Sequence, residues 1–367
     1  MSIGPGYRTR ASDHAGKCLA TLACTLLTIS PVNTVSAQSQ LPAPLFAADD
    51  VLALSIEAPF TTIRRDRSET EYRDGILRYS DSEGKQHSLP LGLRTRGEYR
   101  RRKDVCDFPP IRLNFRKNGN EANVFAGQDR LKLVTHCKSG RGDYQQYVIK
   151  EYLAYRILAT LTDNSFKTRL LRLTYIDTEK KKRQLYTKYA FLIEDKDELA
   201  RRLGWKPEDV PRLEDEQLDR QQANLVNVFE YLIGNTDFSM VLGARDEPCC
   251  HNIVLYAATP GTFVPVPYDF DLAGLVNAPY ATPNPKYKLK AVTQRLYRGF
   301  CRNNDLLPAT LAAFSEKEAE IRRLVEEIEG LSGYHKRRIT RFIDDFYEDF
   351  ENERSIEKNF LRDCATG

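Results

Sequence analysis

The hydrophobic periodicity of this chain changes partway along its length, and that change limits the folds open to it. Ile111, Leu113 and Phe115, and then Leu131 and Leu133, alternate with polar residues at period two, the pattern of half-buried strands. Residues 76–96 predict a hairpin around a turn at Asp81, Ser82, Glu83 and Gly84, with the returning strand reaching Leu93. Residues 170–176 and 185–193 predict two further strands joined by a charged turn. Between these pairs, Val148, Tyr152, Tyr155 and Ala159 recur at helical spacing over residues 145–161, with Asp143 placed to cap the start. Leu225, Val228, Phe229 and Leu232 form a second helical stripe ended by Gly234. Residues 207–220 are polar and acidic and predict a helix or a loop. Beyond residue 270 the chain reads as mostly helical, through Ile321, Leu324, Ile328 and Leu331 and then Ile339, Phe342, Ile343, Phe346 and Phe350. Strands first and helices last predict an α+β fold in two lobes, a strand-rich one over residues 38–205 and a helix-rich one over residues 206–367.

The chain has 367 residues, 41% hydrophobic and 29% charged, enough apolar material for a sizeable core. Its formal charge of +4 is close to balance and does not mark a nucleic-acid binder, although residues 94–103 are locally basic. At the N-terminus Arg8, Arg10 and Lys17 accompany an apolar run over residues 18–29, and Val35, Ser36 and Ala37 offer a cleavage site before Gln38. Residues 1–37 therefore read as a secretory signal, and the mature protein as periplasmic or secreted; Cys24 leaves a lipoprotein anchor as an alternative. No later segment is long and apolar enough to be transmembrane. Cys106, Cys137, Cys249, Cys250, Cys301 and Cys364 then remain, an even set that permits disulfides in an exported protein without choosing their pairing. His136 beside Cys137 and His251 beside Cys250 keep zinc as the rival use of these thiols, although no Cys-x-x-Cys is present.

The most specific stretch runs over residues 231–275. Asp237 follows the second helical stripe, Asn252 opens an apolar strand, and Asp269 and Asp271 close the next one. Oxygen donors at the ends of three apolar elements can converge on one hard cation, and strand alternation would send Asp269 and Asp271 to one face with Phe270 on the other. Phosphoryl transfer asks for this set: a base near the acceptor hydroxyl and oxygen ligands for the ions that neutralise the phosphates. The bland alternative is a loop-capping Asp237 and two turn carboxylates. A cation for the phosphates is available at Lys132 on a strand, with Glu151 on the next helix to hold it and Arg112 as a substitute. Arg94, Arg96 and residues 100–103 supply further positive charge in a mature chain without a Gly-x-Gly-x-x-Gly loop; a solvated basic strand end is the simpler reading of that run.

These motifs resemble the spore-coat CotH kinase-like family. The likeness rests on Arg94, Thr95, Arg96 and Gly97, on the strand over residues 111–115, on Leu131, Lys132 and Leu133, and on the helix over residues 145–161. It ends on Asp237 with Asn252 and on Tyr268, Asp269, Phe270 and Asp271, so that it spans about half of the chain. The resemblance implies a two-lobed atypical kinase-like fold that uses ATP with magnesium, or manganese, on a protein or another hydroxyl-bearing envelope acceptor. It implies Asp237 as the catalytic residue, Asn252, Asp269 and Asp271 as metal ligands, and Lys132, Glu151 and Arg96 around the nucleotide. Two departures stand out: Tyr268 replaces the family's Trp, and Asp237 and Asn252 are 15 positions apart. With the missing glycine loop, they keep a catalytically inactive binding or structural protein of the envelope as the alternative.

Other chemistries find little support. His87, His136, His251 and His335 sit in no Gly-x-Ser-x-Gly or His-Glu-x-x-His context, which leaves serine hydrolases and zinc proteases without their motifs. Asp237 and Asp269 would also serve as a glycosidase pair, but Trp205 is the sole tryptophan available for sugar stacking.

Overall fold

Seven strands close on themselves. In the computed structural model, which describes residues 43–115, 123–180, 185–243, 247–362 and 364–366, they are β1 (Leu52–Ala58), β2 (Arg73–Ser80), β3 (Gln86–Thr95), β4 (Ile111–Phe115), β5 (Arg130–Val134), β6 (Thr168–Asp177) and β7 (Leu185–Ile193). They form a barrel in the order β1-β2-β3-β4-β5-β7-β6, closed by the parallel pairing of β6 with β1, with every other pair antiparallel. Closure leaves no free edge. The alternation seen in the sequence fills the interior: Leu113, Leu131, Leu133, Leu171, Leu173 and Leu192 are buried in one cluster. It also sends their neighbours outward. Arg94 pairs with Arg112, and Arg112 with Lys132, so three cationic positions form a row across the outer face of β3, β4 and β5.

α1 (Phe60–Asp66) follows β1, and α2 (Tyr144–Leu161) is inserted between β5 and β6. α2 packs against the outside of the barrel and also against the later helices, and its Leu153, Ile157 and Leu158 share a core with Val228, Phe229, Leu311 and Phe314. α3 (Lys196–Leu203) leads to β8 (Lys206–Glu208), which joins β9 (Ile253–Thr259) and β10 (Thr262–Pro267) in a three-stranded sheet of order β10-β9-β8. α4 (Arg220–Ile233), α5 (Leu307–Glu327), α6 (Gly333–Glu348) and the short α7 (Glu353–Ile356) complete the chain.

The expected elements are present with small shifts at their ends, and the protein is α+β. Three details differ, and one expectation falls elsewhere. The signal expected over residues 1–37 lies outside the described residues. Asp143 does not cap α2; its carboxylate is held by Arg141, at 3.1 and 3.3 Å. Residues 207–220 form neither a helix nor a plain loop, because β8 and a 3-10 turn at Asp215–Gln217 run through them. Residues 268–300 are largely irregular, so the helical half begins only at α5.

All six cysteines among the described residues are paired, Cys106 with Cys137, Cys301 with Cys364, and Cys249 with its neighbour Cys250, which leaves none of these thiolates for the rival zinc site. Such bonds belong to an oxidising compartment. No helix among the described residues is long and apolar enough to cross a membrane.

Candidate active site

Two cations of the outward row, with Arg96 just past the end of β3, face the loops that follow α4 and β10 across a cavity of about 400 Å3. Arg96, Arg112 and Lys132 line it from the barrel; Asp237, Asn252, Asp269 and Asp271 line it from the other side. Six of the seven residues given a catalytic, metal or nucleotide role from the sequence, together with the substitute cation Arg112, thus meet at one site. The seventh, Glu151, lies buried behind it and reaches it through Arg100.

Each loop is held by local chemistry. Gly234 ends α4 in the left-handed conformation, at φ 64°, which a residue without a side chain adopts at no steric cost. The chain then turns through Asn235, whose Oδ1 accepts the Asp237 N–H at 2.9 Å. Arg298 donates to the carbonyls of Thr236 and Phe238 on either side of Asp237. The interval between Asp237 and Asn252 folds out and returns: Ser239 N–H donates to His251 O at 2.9 Å, and His251 N–H to Leu242 O at 3.1 Å. The long spacing therefore does not separate the two residues. Asn252 Nδ2 donates to Asp237 O at 2.7 Å and to Asp237 Oδ2 at 3.1 Å, while His251 Nε2 lies 2.9 Å from Oδ1. That contact is the main reason the His251 pKa is raised.

Asp269 and Asp271 require a correction. They are not on a strand, because β10 ends at Pro267 and Asp269 turns the chain in the left-handed region at φ 64°. Asn252 does the same at φ 53°, and Asn and Asp are the side-chain-bearing residues that tolerate it best. The two turns are tied together, since Tyr268 N–H donates to Asn252 O at 3.0 Å, and Asp269 N–H donates to Tyr155 Oη on α2 at 2.9 Å. Strand alternation thus does not relate the two carboxylates. Asp269 stands open to the cavity with no side-chain partner among the described residues, whereas Asp271 is buried. Phe270 points into the core against Tyr155 and Phe229, with ring centres 4.6 and 5.3 Å away.

The expected pairing of Lys132 with Glu151 is not formed. Glu151 accepts from Arg100 Nη1 at 3.0 Å, and the same nitrogen lies 3.5 Å from Asp271 Oδ2. One buried guanidinium therefore balances two buried carboxylates, and burial raises the pKa of both. Glu151 is no surface residue, nor is Lys132 a freely solvated one. The Lys132 ammonium stands 4.4 Å from the centre of the Tyr268 ring. Burial first, then Arg96, lowers its pKa to about 7. Arg112 lies 3.9 Å from Asp195, and the Nε atoms of Arg96, Arg100 and Arg112 are buried without a hydrogen-bond partner.

These groups suit an anion on the barrel side and a hard cation on the other. No group of three or more His, Cys, Asp or Glu side chains among the described residues is spaced to hold a metal alone. Magnesium commonly takes one or two carboxylates together with phosphate oxygens rather than an all-protein cage. The open Asp269 carboxylate fits that kind of site. Sequence reasoning missed His251 and Tyr155 as supports of the site. His251 had a signal in its place beside Asn252, whereas Tyr155 read only as a core position on a helical stripe. Arg100 was legible as part of a basic run, but not as a buried ion-pair partner. No protein family, curated protein or solved structure matches this chain.

Proposed function

We propose that this protein is an exported, magnesium-dependent phosphotransferase with a two-lobed atypical kinase-like fold, related to the CotH kinase-like family, acting from ATP on a protein or other hydroxyl-bearing acceptor. One observation carries the reading: Asp237, Asn252, Asp269 and Asp271 face Arg96, Arg112 and Lys132 across a single cavity. Arg96, with Lys132 and Arg112, binds the phosphates by charge in place of a glycine loop. Asp269, backed by Asp271 and the Asn252 amide, would hold magnesium, which when bound neutralises phosphate oxygens. Asp237 accepts the acceptor's proton, and His251 and Asn252 keep its carboxylate oriented.

A second reading is a binding protein of the envelope that keeps the fold without turnover. It is favoured by Glu151, which is engaged by Arg100 and leaves Lys132 without the acidic partner that kinases use. Thermal shift with ATP and magnesium or manganese tests binding, and transfer of labelled phosphate to an envelope extract tests turnover. Stabilisation with transfer supports the first reading, and stabilisation without transfer the second. No shift at millimolar nucleotide overturns both in their nucleotide-binding form.

A further inference from the structure

A second cavity, of about 350 Å3, is lined in part by Gly274, Leu275 and Asn277 of the segment that follows Asp271. Lys150, Arg338, His335, Tyr334 and Thr293 are among the residues around it. Lys150 is the neighbour of Glu151 on α2, yet the two serve different cavities. Lys150 is 5% exposed, its ammonium donates to Val276 O and stands 4.8 Å from the Tyr147 ring centre, and it has no carboxylate partner among the described residues. Arg338 comes from α6 and donates to Tyr334 Oη at 2.8 Å, again with no carboxylate partner among the described residues. Of the described residues lining the cavity, Asp143 alone is a carboxylate, and Arg141 already holds it through two hydrogen bonds.

A buried ammonium without a counter-charge is unfavourable in a folded protein unless something supplies one. Here a second cation stands nearby: burial and then Arg338 lower the Lys150 pKa to about 7. We infer that this cavity binds a small phosphate-bearing anion, inorganic phosphate or a phosphate monoester, held between the Lys150 ammonium and the Arg338 guanidinium. The volume leaves room for a substituent beyond the phosphate. Arg338 lies at the exposed mouth and Lys150 at the buried end, so the charged group enters past the arginine and comes to rest on the lysine. Tyr334, 55% exposed, stands at the same mouth. This inference does not depend on nucleotide binding at the other cavity.

Calorimetric titration of the full-length protein with inorganic phosphate at fixed ionic strength tests it, repeated with glycerol phosphate. Saturable binding is expected at one site, weakened about 10-fold or more in each of Lys150→Met and Arg338→Gln, the scale of a lost charge-assisted hydrogen bond, and retained when the cations of the other cavity are reduced in Lys132→Met. Arg338 is exposed, so that variant tests the site even if Lys150→Met does not fold. Tighter binding of glycerol phosphate would name a monoester as the ligand, and equal binding free phosphate. The inference is overturned if neither anion saturates, if Arg338→Gln binds as the parent does, or if Lys132→Met abolishes binding, which would assign the anion to the other cavity.

Discussion

Asn252 Nδ2 donates to both the main-chain oxygen of Asp237, at 2.7 Å, and its carboxylate, at 3.1 Å. A residue 15 positions away in sequence thereby fixes the proposed base in one orientation. Asp237→Asn removes the proton acceptor and leaves the groups around the phosphates in place. It is expected to lower phosphoryl transfer by about 10²- to 10⁴-fold with the Mg-ATP thermal shift retained. An unchanged transfer rate would take the base role away from Asp237.

Asp269→Asn separates ligand binding from folding. The carboxylate has no side-chain partner among the described residues, and Asn tolerates the left-handed backbone that Asp269 adopts. The melting temperature without ligand should stay within about 2 °C, because a surface-type change is worth roughly 0.5 kcal/mol. The stabilisation by ATP with magnesium should disappear. A full shift in this variant would place the metal elsewhere.

Arg100 has the opposite character. Its guanidinium is shared by Glu151 and Asp271, and all three side chains are buried. Arg100→Leu leaves two buried carboxylates without a cation, a change that costs about 3–5 kcal/mol. Urea unfolding should show that loss, and adding Glu151→Gln should recover part of it. If Arg100→Leu unfolds at the parental urea concentration, the ion triad does not hold the site together.

His136 gives the barrel an acid sensitivity. Its ring lies in the core against Phe108 and Tyr175, with centroids 4.6 and 5.2 Å away and neither nitrogen hydrogen-bonded. Burial, and then Lys188, lowers its pKa to about 3. The unfolded chain takes up a proton near pH 6.5 that the folded chain refuses until about 3. Stability from this group therefore falls as pH drops through that window, by about 1.4 kcal/mol per pH unit, and is pH-independent above it. His136→Phe should flatten the acid side of the stability curve by that slope between pH 6 and 4. Parallel curves for parent and variant would show that His136 is protonated in the folded state.

Cys301 and Cys364 close a loop across 63 positions and anchor the C-terminal tail beside Phe300. Replacing both by Ser should cost about 4 kcal/mol by loop-closure entropy, seen as a lower urea midpoint. A peptide digest of the unreduced parent should contain the Cys301–Cys364 and Cys106–Cys137 fragments. A midpoint that does not move would mean that the tail is held by its other contacts.

Period-two alternation in β4 and β5 was enough to place Arg112 and Lys132 on the outside of a sheet, and the stripe before Gly234 was enough to place Asp237 after a helix. Closure of the strands into a barrel was not legible, because it depends on β6 meeting β1 in parallel across more than a hundred residues. The Glu151 partner was missed for a related reason. Sequence spacing joined it to Lys132, but which cation reaches a buried carboxylate depends on how the loop bearing Arg100 folds back. The backbone reversal at Asp269 was hidden because an Asp at the end of an apolar run looks the same whether the strand continues or turns.

Gly274 donates its N–H to Gly234 O at 3.0 Å, and Leu275 to Ile233 O at 2.9 Å. A Cβ on Gly274 would stand 2.6 Å from Val292 O, so on its other side the chain at Val292 comes closer than a residue with a side chain permits. The stretches leading to Asp237 and away from Asp271 are thereby riveted back to back. The acidic wall is braced by these main-chain hydrogen bonds, and the turn at Gly97, Glu98 and Tyr99 on the facing rim is tied across as well, because Tyr99 Oη donates to Tyr280 O at 2.8 Å.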